Sequence, residues 1–263
     1  MSNAAMQGPR PLLELRSVSR HFGQLRAVDA VDLEVPAGRI TGLIGPNGAG
    51  KTTLFNLMAG TLAPTSGEIR FLGHRINGES PDQVFRRGLA RTFQVPRPFA
   101  QMTVLENLML AVAEQTGERF WNNWFRPSTV RAEERATRER AMSVLELCAL
   151  ADKAGHLAGQ LSGGQQKLLE LARVLMIDPK LILLDEPAAG VNPALLDILI
   201  ERVSRIHRSG IAFLVIEHNM DLVMHLCDPV VVMVQGRVIL SGSPEAVRRD
   251  PRVVDAYLGE VTT

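Results

Sequence analysis

Ile40-Thr41-Gly42-Leu43-Ile44-Gly45-Pro46-Asn47-Gly48-Ala49-Gly50-Lys51-Thr52-Thr53 is the stretch that decides the fold. Its first part, from Arg39 to Ile44, is a short apolar run and reads as a buried strand. Gly45 to Thr52 follows as G-x-x-x-x-G-K-T, the pattern of a phosphate-binding loop. Thr53 to Ala59 then reads as a helix closed by Gly60. A phosphate is densely negative, and a ring of backbone N–H groups at a helix N-terminus cradles it well. Glycines allow the close approach and unusual dihedrals that such a ring needs. Lys51 adds a point charge for the β- and γ-phosphates, and Thr52 offers a hydroxyl to Mg²⁺.

A second strand carries acids. Leu181-Ile182-Leu183-Leu184 is apolar and ends in Asp185-Glu186. Charges do not sit in the middle of a buried strand, so both stand at its carboxyl edge, where ligands bind in open α/β sheets. Asp185 is placed to hold Mg²⁺ through water, and Glu186 to accept a proton from an attacking water.

Working outward, Val31–Val35 alternates strictly and Glu68–Phe71 does so after Ser66-Gly67, as half-buried strands do. From about Val104 to Leu150 the pattern is helical, broken near Gly117 and Pro127. Met142, Leu145 and Cys148 or Ala149 recur at helical spacing behind a charged face from Arg131 to Arg140. Gln165 to Ile177 reads as a helix, Ile211–Ile216 as a buried strand, and Val230–Leu240 as a hairpin turning at Gln235-Gly236. Ser243-Pro244 opens a further helix. Strand–helix alternation implies a parallel sheet with helices on its faces.

The composition bounds the function. The chain has 263 residues, 46% apolar, with 29 basic against 28 acidic side chains. That suits one globular domain with a possible subdomain and no polybasic nucleic-acid binder. No run of about 18 apolar residues would cross a bilayer, and no charged n-region followed by an apolar h-region is read at the start of the sequence. Met1–Ala5 reads as a cloning remnant. The two cysteines, Cys148 and Cys227, lack metal-ligand spacing and read as reduced, with a disulfide left open.

Leu161-Ser162-Gly163-Gly164-Gln165 opens the later helix. It is a second helix N-terminus with a serine hydroxyl, and therefore a second phosphate-binding surface. This pentapeptide arises by chance in roughly one in 3,000 chains of this length, so it carries weight. One nucleotide needs only one phosphate loop. The second surface makes sense when it completes the site of another copy.

With these motifs in order, the sequence resembles ABC-transporter ATPase subunits from about Leu13 to Gly259. The resemblance implies an α/β fold: a phosphate-loop NTPase core with a mostly parallel sheet, an N-terminal antiparallel β part and an inserted helical subdomain. It implies a core of residues 8–94 and 167–263, a helical subdomain of 95–166 ending in the signature, and a tag-like or disordered 1–7. It also implies binding of ATP and Mg²⁺ by Gly45 to Thr53 and, across a dimer, by Ser162, Gly163, Gly164 and Gln165. Gln94, in Thr92-Phe93-Gln94, matches the loop glutamine that senses Mg²⁺ and contacts the membrane partner. His218 matches the switch histidine that meets the γ-phosphate, and Phe22 the aromatic that stacks on adenine.

A narrower likeness to the branched-chain amino acid importer branch rests on Glu186–Pro193, Ala90–Gln94, Glu217-His218-Asn219-Met220 and Val254–Gly259. The chain is similar to the longer of that branch's two ATPases, and the insertion near Gly117–Arg131 with Trp121 and Trp124 fits that type. The likeness implies two integral-membrane permease subunits as partners, and a second, shorter ATPase subunit or a second copy of this chain. An extracytoplasmic solute-binding protein takes part indirectly, and no nucleic acid does. It places the chain at the cytoplasmic face of the inner membrane, held by the permease. Val95–Met102 is the expected groove for a permease helix. Two departures stand out. Asn192 sits where an aspartate is common, and Phe22 where a tyrosine is frequent.

Rival readings are limited. Another cargo, such as urea or short amides, remains open because cargo never touches this chain. Soluble ABC ATPases of translation usually carry two cassettes, and those of DNA repair carry a long coiled coil; this chain has neither. Phosphate-loop kinases and GTPases lack Leu161–Gln165, and an Asn-Lys-x-Asp guanine motif is absent.

Overall fold

The computed structural model of the chain describes residues 11–92, 98–112 and 127–258. They fall into two compact units. The first holds the residues up to Arg91 with Lys180–Ala188 and His207 onward; the second holds Thr92–Pro179 and Ala189–Ile206.

The first unit contains two sheets. In the four-stranded one the order is β2-β1-β4-β5, all antiparallel, with β1 Leu13–Phe22, β2 Leu25–Val35, β4 Ser66–Phe71 and β5 His74–Arg75. Val31, Leu33 and Val35 are buried while Asp32 and Glu34 are exposed, so the alternation read from the sequence is the sheet's inner and outer face. The six-stranded sheet has the order β10-β9-β3-β8-β7-β6. It is built from β3 Ile40–Ile44, β6 Leu89–Arg91, β7 Leu181–Asp185, β8 Ala212–Ile216, β9 Val230–Val234 and β10 Arg237–Gly242. Its strand pairs are parallel except β9 with β10, which form the expected hairpin. Every residue of β3, β7 and β8 is buried, which is why these strands read as unbroken apolar runs.

Helix α1, Lys51–Met58, starts two residues earlier than the pattern suggested, so the loop lysine sits in its first turn. Leu54, Phe55, Leu57 and Met58 join one apolar cluster with Leu13, Leu15, Ile69 and Phe71 of the small sheet and Leu43, Leu183 and Leu214 of the large one. The loop before α1 is thereby mounted on a rigid base. Helix α2, Pro81–Arg86, is closed at its start by a capping box of Ser80 and Gln83.

In the second unit, α3 Val104–Met109, α4 Pro127–Leu147 and α5 Gly163–Leu175 contact one another. Leu145 on α4 and Cys148 just beyond it are buried as expected; Met142 is only partly buried, and Ala141 beside it is buried instead. Ala149 takes φ 56° and ends the run. Helix α5 lies wholly in this unit and ends two residues before Ile177, because Met176 caps it ahead of Asp178-Pro179. Asn107 on α3 is fully buried. Its amide accepts from the N–H of Phe99 (2.8 Å) and donates to the carbonyls of Phe99 (3.1 Å) and Thr103 (2.9 Å). One side chain thus shapes the described part of the expected permease groove, residues 98–102. The rest of that groove lies outside the described residues, as do Gln94, Trp121 and Trp124.

Both cysteines are free and buried, and burial pushes each thiol up to about 12. Among the described residues no helix is long and apolar enough to cross a membrane.

Candidate functional site

Parallel pairing brings the strand ends together. Asp185 lies in register with Ile216, and Arg91 with Leu183, while β3 runs directly into the phosphate loop along the same edge. The loop itself is backed by the chain around it. Gly45 and Gly50 adopt φ 153° and 97°. A Cβ on Gly45 would lie 2.0 Å from the carbonyl oxygen of Met233, and one on Gly50 2.2 Å from that of Ala27. No other residue type fits either place. The N–H of Gly236, in the β9–β10 turn, donates to the carbonyl of Ala49 at 3.0 Å. Lys51 is buried, and its Nζ donates to the carbonyls of Gly45 (2.7 Å) and Pro46 (2.9 Å), so the ammonium is aimed along the loop.

An open cleft of ≈ 490 Å³ lies over this loop. Asn47 to Thr53 line one side, Glu186 and His218 another, and Leu25, Arg26, Ala27 and Gln235 the remainder. Its size suits a ligand of nucleotide dimensions. Of the residues singled out from the sequence, the loop from Asn47 onward, Glu186 and His218 meet here. Gly45 and Pro46 lie in the loop's first turn and do not line the cleft. Phe22 does not line it either. Its ring is 43% exposed at the end of β1, and the guanidinium of Arg20 sits 4.7 Å from the ring centroid, over one face. Leu25, paired with Phe22 across the β1–β2 turn, lines the cleft instead.

The two acids have different surroundings. Asp185 is buried and its Oδ2 accepts from Arg91 at 2.8 Å. The same guanidinium donates to Asn56 Oδ1 on α1 at 2.5 Å. Glu186 is the first residue beyond the strand and takes a left-handed backbone, φ 48°. Its N–H donates to the carbonyl of Ile216 at 3.0 Å, and its Oε1 lies 2.9 Å from His218 Nε2. Below them Glu217, only 3% exposed, accepts from the N–H groups of Ala188 (2.6 Å), His218 (3.0 Å) and Asn219 (3.3 Å).

Arg91 and Glu217 escaped the sequence reading. Their signal was there: each is a charge at the end of a short apolar strand, the same feature that drew attention to Asp185. Both lie in stretches that carry the narrower likeness, but no role was read for either, and the partners that give them one, Asp185 and Ala188, are remote in sequence.

The signature belongs to the second unit. Ser162 caps α5: its Oγ accepts from the N–H of Gln165 at 3.4 Å, and Gln165 Oε1 accepts from the N–H of Ser162 at 3.0 Å. Ser162 and Gly163 are exposed at this helix start. Asn192, the departure from the common aspartate, uses its Oδ1 to accept from the N–H of Leu195 at 2.9 Å, capping α6 (Pro193–Arg208).

A strand, a glycine loop over a helix start, and an acid pair at the end of another parallel strand of the same sheet define a nucleotide-hydrolysing cassette. Comparison with known proteins agrees. The family model described as ABC transporter matches residues 28–189, and the chain belongs to that family as an ATP-binding subunit. Residues 237–262 further match the model described as branched-chain amino acid ATP-binding cassette transporter. The chain is 42% identical over 252 residues to the high-affinity branched-chain amino acid transport ATP-binding protein BraF of Pseudomonas aeruginosa, spanning 95% of this chain and 99% of that protein. It is 40% identical over 254 residues to LivG of Escherichia coli, a protein described in the same words, with 95% and 99% covered. Among solved structures, an ATP-binding cassette of an ABC transporter in its ADP conformation superposes with a TM-score of 0.82 at 37% identity, covering 95% of this chain and 99% of that one.

Proposed function

We propose that the chain powers a branched-chain amino acid importer, binding ATP over Gly45–Thr53 and hydrolysing it with Glu186 as general base. One observation carries the chemistry: the Glu186 carboxylate stands 2.9 Å from His218 Nε2 on the wall of a cleft floored by the phosphate loop. A carboxylate there accepts a proton from water, and an imidazole beside it orients that water and meets the terminal phosphate.

The loop amides and Lys51 hold the phosphate chain, and Leu25 with the β1–β2 turn borders the base. The oxygen donors at this edge, the Thr52 hydroxyl and the Asp185 carboxylate, suit a hard cation. Among the described residues no cluster of three His, Cys, Asp or Glu side chains would hold a metal alone. Mg²⁺ is held by few protein donors together with substrate phosphates, and Thr52 and Asp185 are the donors proposed here. When bound, Mg²⁺ neutralises charge on the β- and γ-phosphates. Gln94 completes the proposed Mg²⁺ contacts.

The second half of the site is proposed to come from another ATPase subunit, a shorter partner or a second copy. The start of α5, exposed at Ser162 and Gly163, is proposed to face the terminal phosphate of that subunit's nucleotide, and the reverse contact to complete the site over Lys51. Nucleotide then joins the subunits because its charge satisfies both N–H surfaces. Two permease subunits hold the pair at the membrane through the loop that follows Gln94.

Ser162→Arg tests the composite site. The variant is expected to bind ATP as the isolated wild-type chain does, within about threefold, because its own phosphate loop is untouched. Turnover is expected to fall by about 100-fold or more, as a bulky cation replaces the helix start that should meet a phosphate. Unchanged turnover in a phosphate-release assay would show that the site is complete within one subunit.

A further inference from the structure

Glu217 stands beneath the cleft and lines no part of it, yet its carboxylate has a definite task. We infer that Glu217 is the positioning residue that fixes the spacing between Glu186 and His218; the inference rests on the reading of Glu186 as base. Buried acids persist where hydrogen bonds satisfy both oxygens. Here Oε1 accepts from the N–H of Ala188, two residues beyond Glu186, and Oε2 from the N–H groups of His218 and Asn219. One rigid group therefore grips the chain just after the base and the chain at the histidine.

The result is a closed ring. It runs from Glu186 along the backbone to Ala188, through the Glu217 carboxylate to the His218 backbone, and out along the imidazole to Glu186 Oε1. Glu186 needs such a frame. Its φ of 48° is unfavourable for a residue with a side chain, and such a conformation persists only where surrounding contacts over-determine it. The bond from Glu186 N–H to the Ile216 carbonyl fixes one side of that peptide. Glu217 fixes the other through Ala188. The carboxylate also has the right chemistry for three amide donors. It is acceptor-only, whereas a carboxamide presents N–H₂ on one side and meets amide N–H groups with a donor.

The test is steady-state ATP hydrolysis by Glu217→Gln beside wild type and Glu186→Gln, with ATP affinity measured on each. Glu217→Gln preserves volume but turns one set of contacts from accepting to repelling. Its kcat is expected to fall about 10- to 100-fold with ATP affinity within about threefold of wild type, because the phosphate loop is untouched while the base is misplaced. A purely structural role would lower the melting temperature and leave kcat per folded molecule unchanged. A kcat within about twofold of wild type overturns the inference. An inactive Glu186→Gln beside a fully active Glu217→Gln overturns this inference alone, whereas an active Glu186→Gln overturns the reading of the base. Should Glu217→Gln fail to bind ATP, amide hydrogen exchange in the wild-type chain decides. Slow exchange shared by the Ala188 and His218 amides is expected, and exchange of Ala188 at unstructured-chain rates overturns the proposal.

Discussion

Glu186→Gln is expected to lower ATP turnover by about 10²- to 10⁴-fold and to leave ATP affinity within about threefold of wild type. The carboxamide keeps the size and the left-handed backbone of Glu186 but cannot accept the proton. Its oxygen still reaches toward His218 Nε2, so the wall of the cleft keeps its shape. The phosphate loop, which carries most of the charge recognition, is built from other residues. Turnover is read by phosphate release and affinity by calorimetric titration. A drop confined to kcat marks an interaction made only in the transition state. Hydrolysis at the wild-type rate would remove Glu186 from the role of base.

Lys51→Ala is expected to weaken ATP binding by about 100-fold or more. The ammonium is buried against the carbonyls of Gly45 and Pro46, so it is oriented by the loop before any ligand arrives. Two of its three N–H groups are on those carbonyls, and loss of one charge-assisted bond from the ammonium to a phosphate oxygen is expected to cost about 1.5–3 kcal/mol. Alanine is a good helix residue, so α1 should persist. Calorimetric titration of the variant with ATP checks the loss, and a melting curve checks that the fold survives. Affinity equal to wild type would contradict the cradle.

Much of this architecture was legible because it rests on local rules. The strict alternation of Val31–Val35 and the apolar runs at Ile40–Ile44, Leu181–Leu184 and Ile211–Ile216 mark one-faced and fully buried strands. The turn at Gln235-Gly236 follows from two adjacent positive φ values, 47° and 80°. What escaped reading depends on residues far apart in sequence. Arg91 is paired with Asp185 because parallel neighbours align Arg91 with Leu183, and nothing local announces that register. Glu217 looks like a strand-ending acid until Ala188 is seen to donate to it. The part of the cleft beside the β1–β2 turn was half legible. Phe22 was singled out by its likeness to the adenine-stacking aromatic; Leu25, its partner across the β1–β2 turn, lines the cleft and was not singled out. Met142 illustrates a smaller difference: Leu145 and Cys148 are buried as read, while Ala141 takes the buried place expected of Met142.

Asn192 is now less puzzling. With its oxygen accepting from Leu195 N–H it acts as a helix cap, a task asparagine and aspartate perform about equally. The neutral side chain therefore preserves the cap of α6, and it differs from aspartate in charge and in presenting an N–H₂ donor.

Hydrolysis at Glu186 is proposed to drive uptake of a branched-chain amino acid, and one measurement reaches both. Radiolabelled leucine uptake is followed in cells lacking this chain and rescued with wild type or with Glu186→Gln. The account predicts that uptake falls without the chain, returns with wild type and stays low with Glu186→Gln. Uptake that is restored equally by Glu186→Gln, or that never depended on the chain, would contradict it.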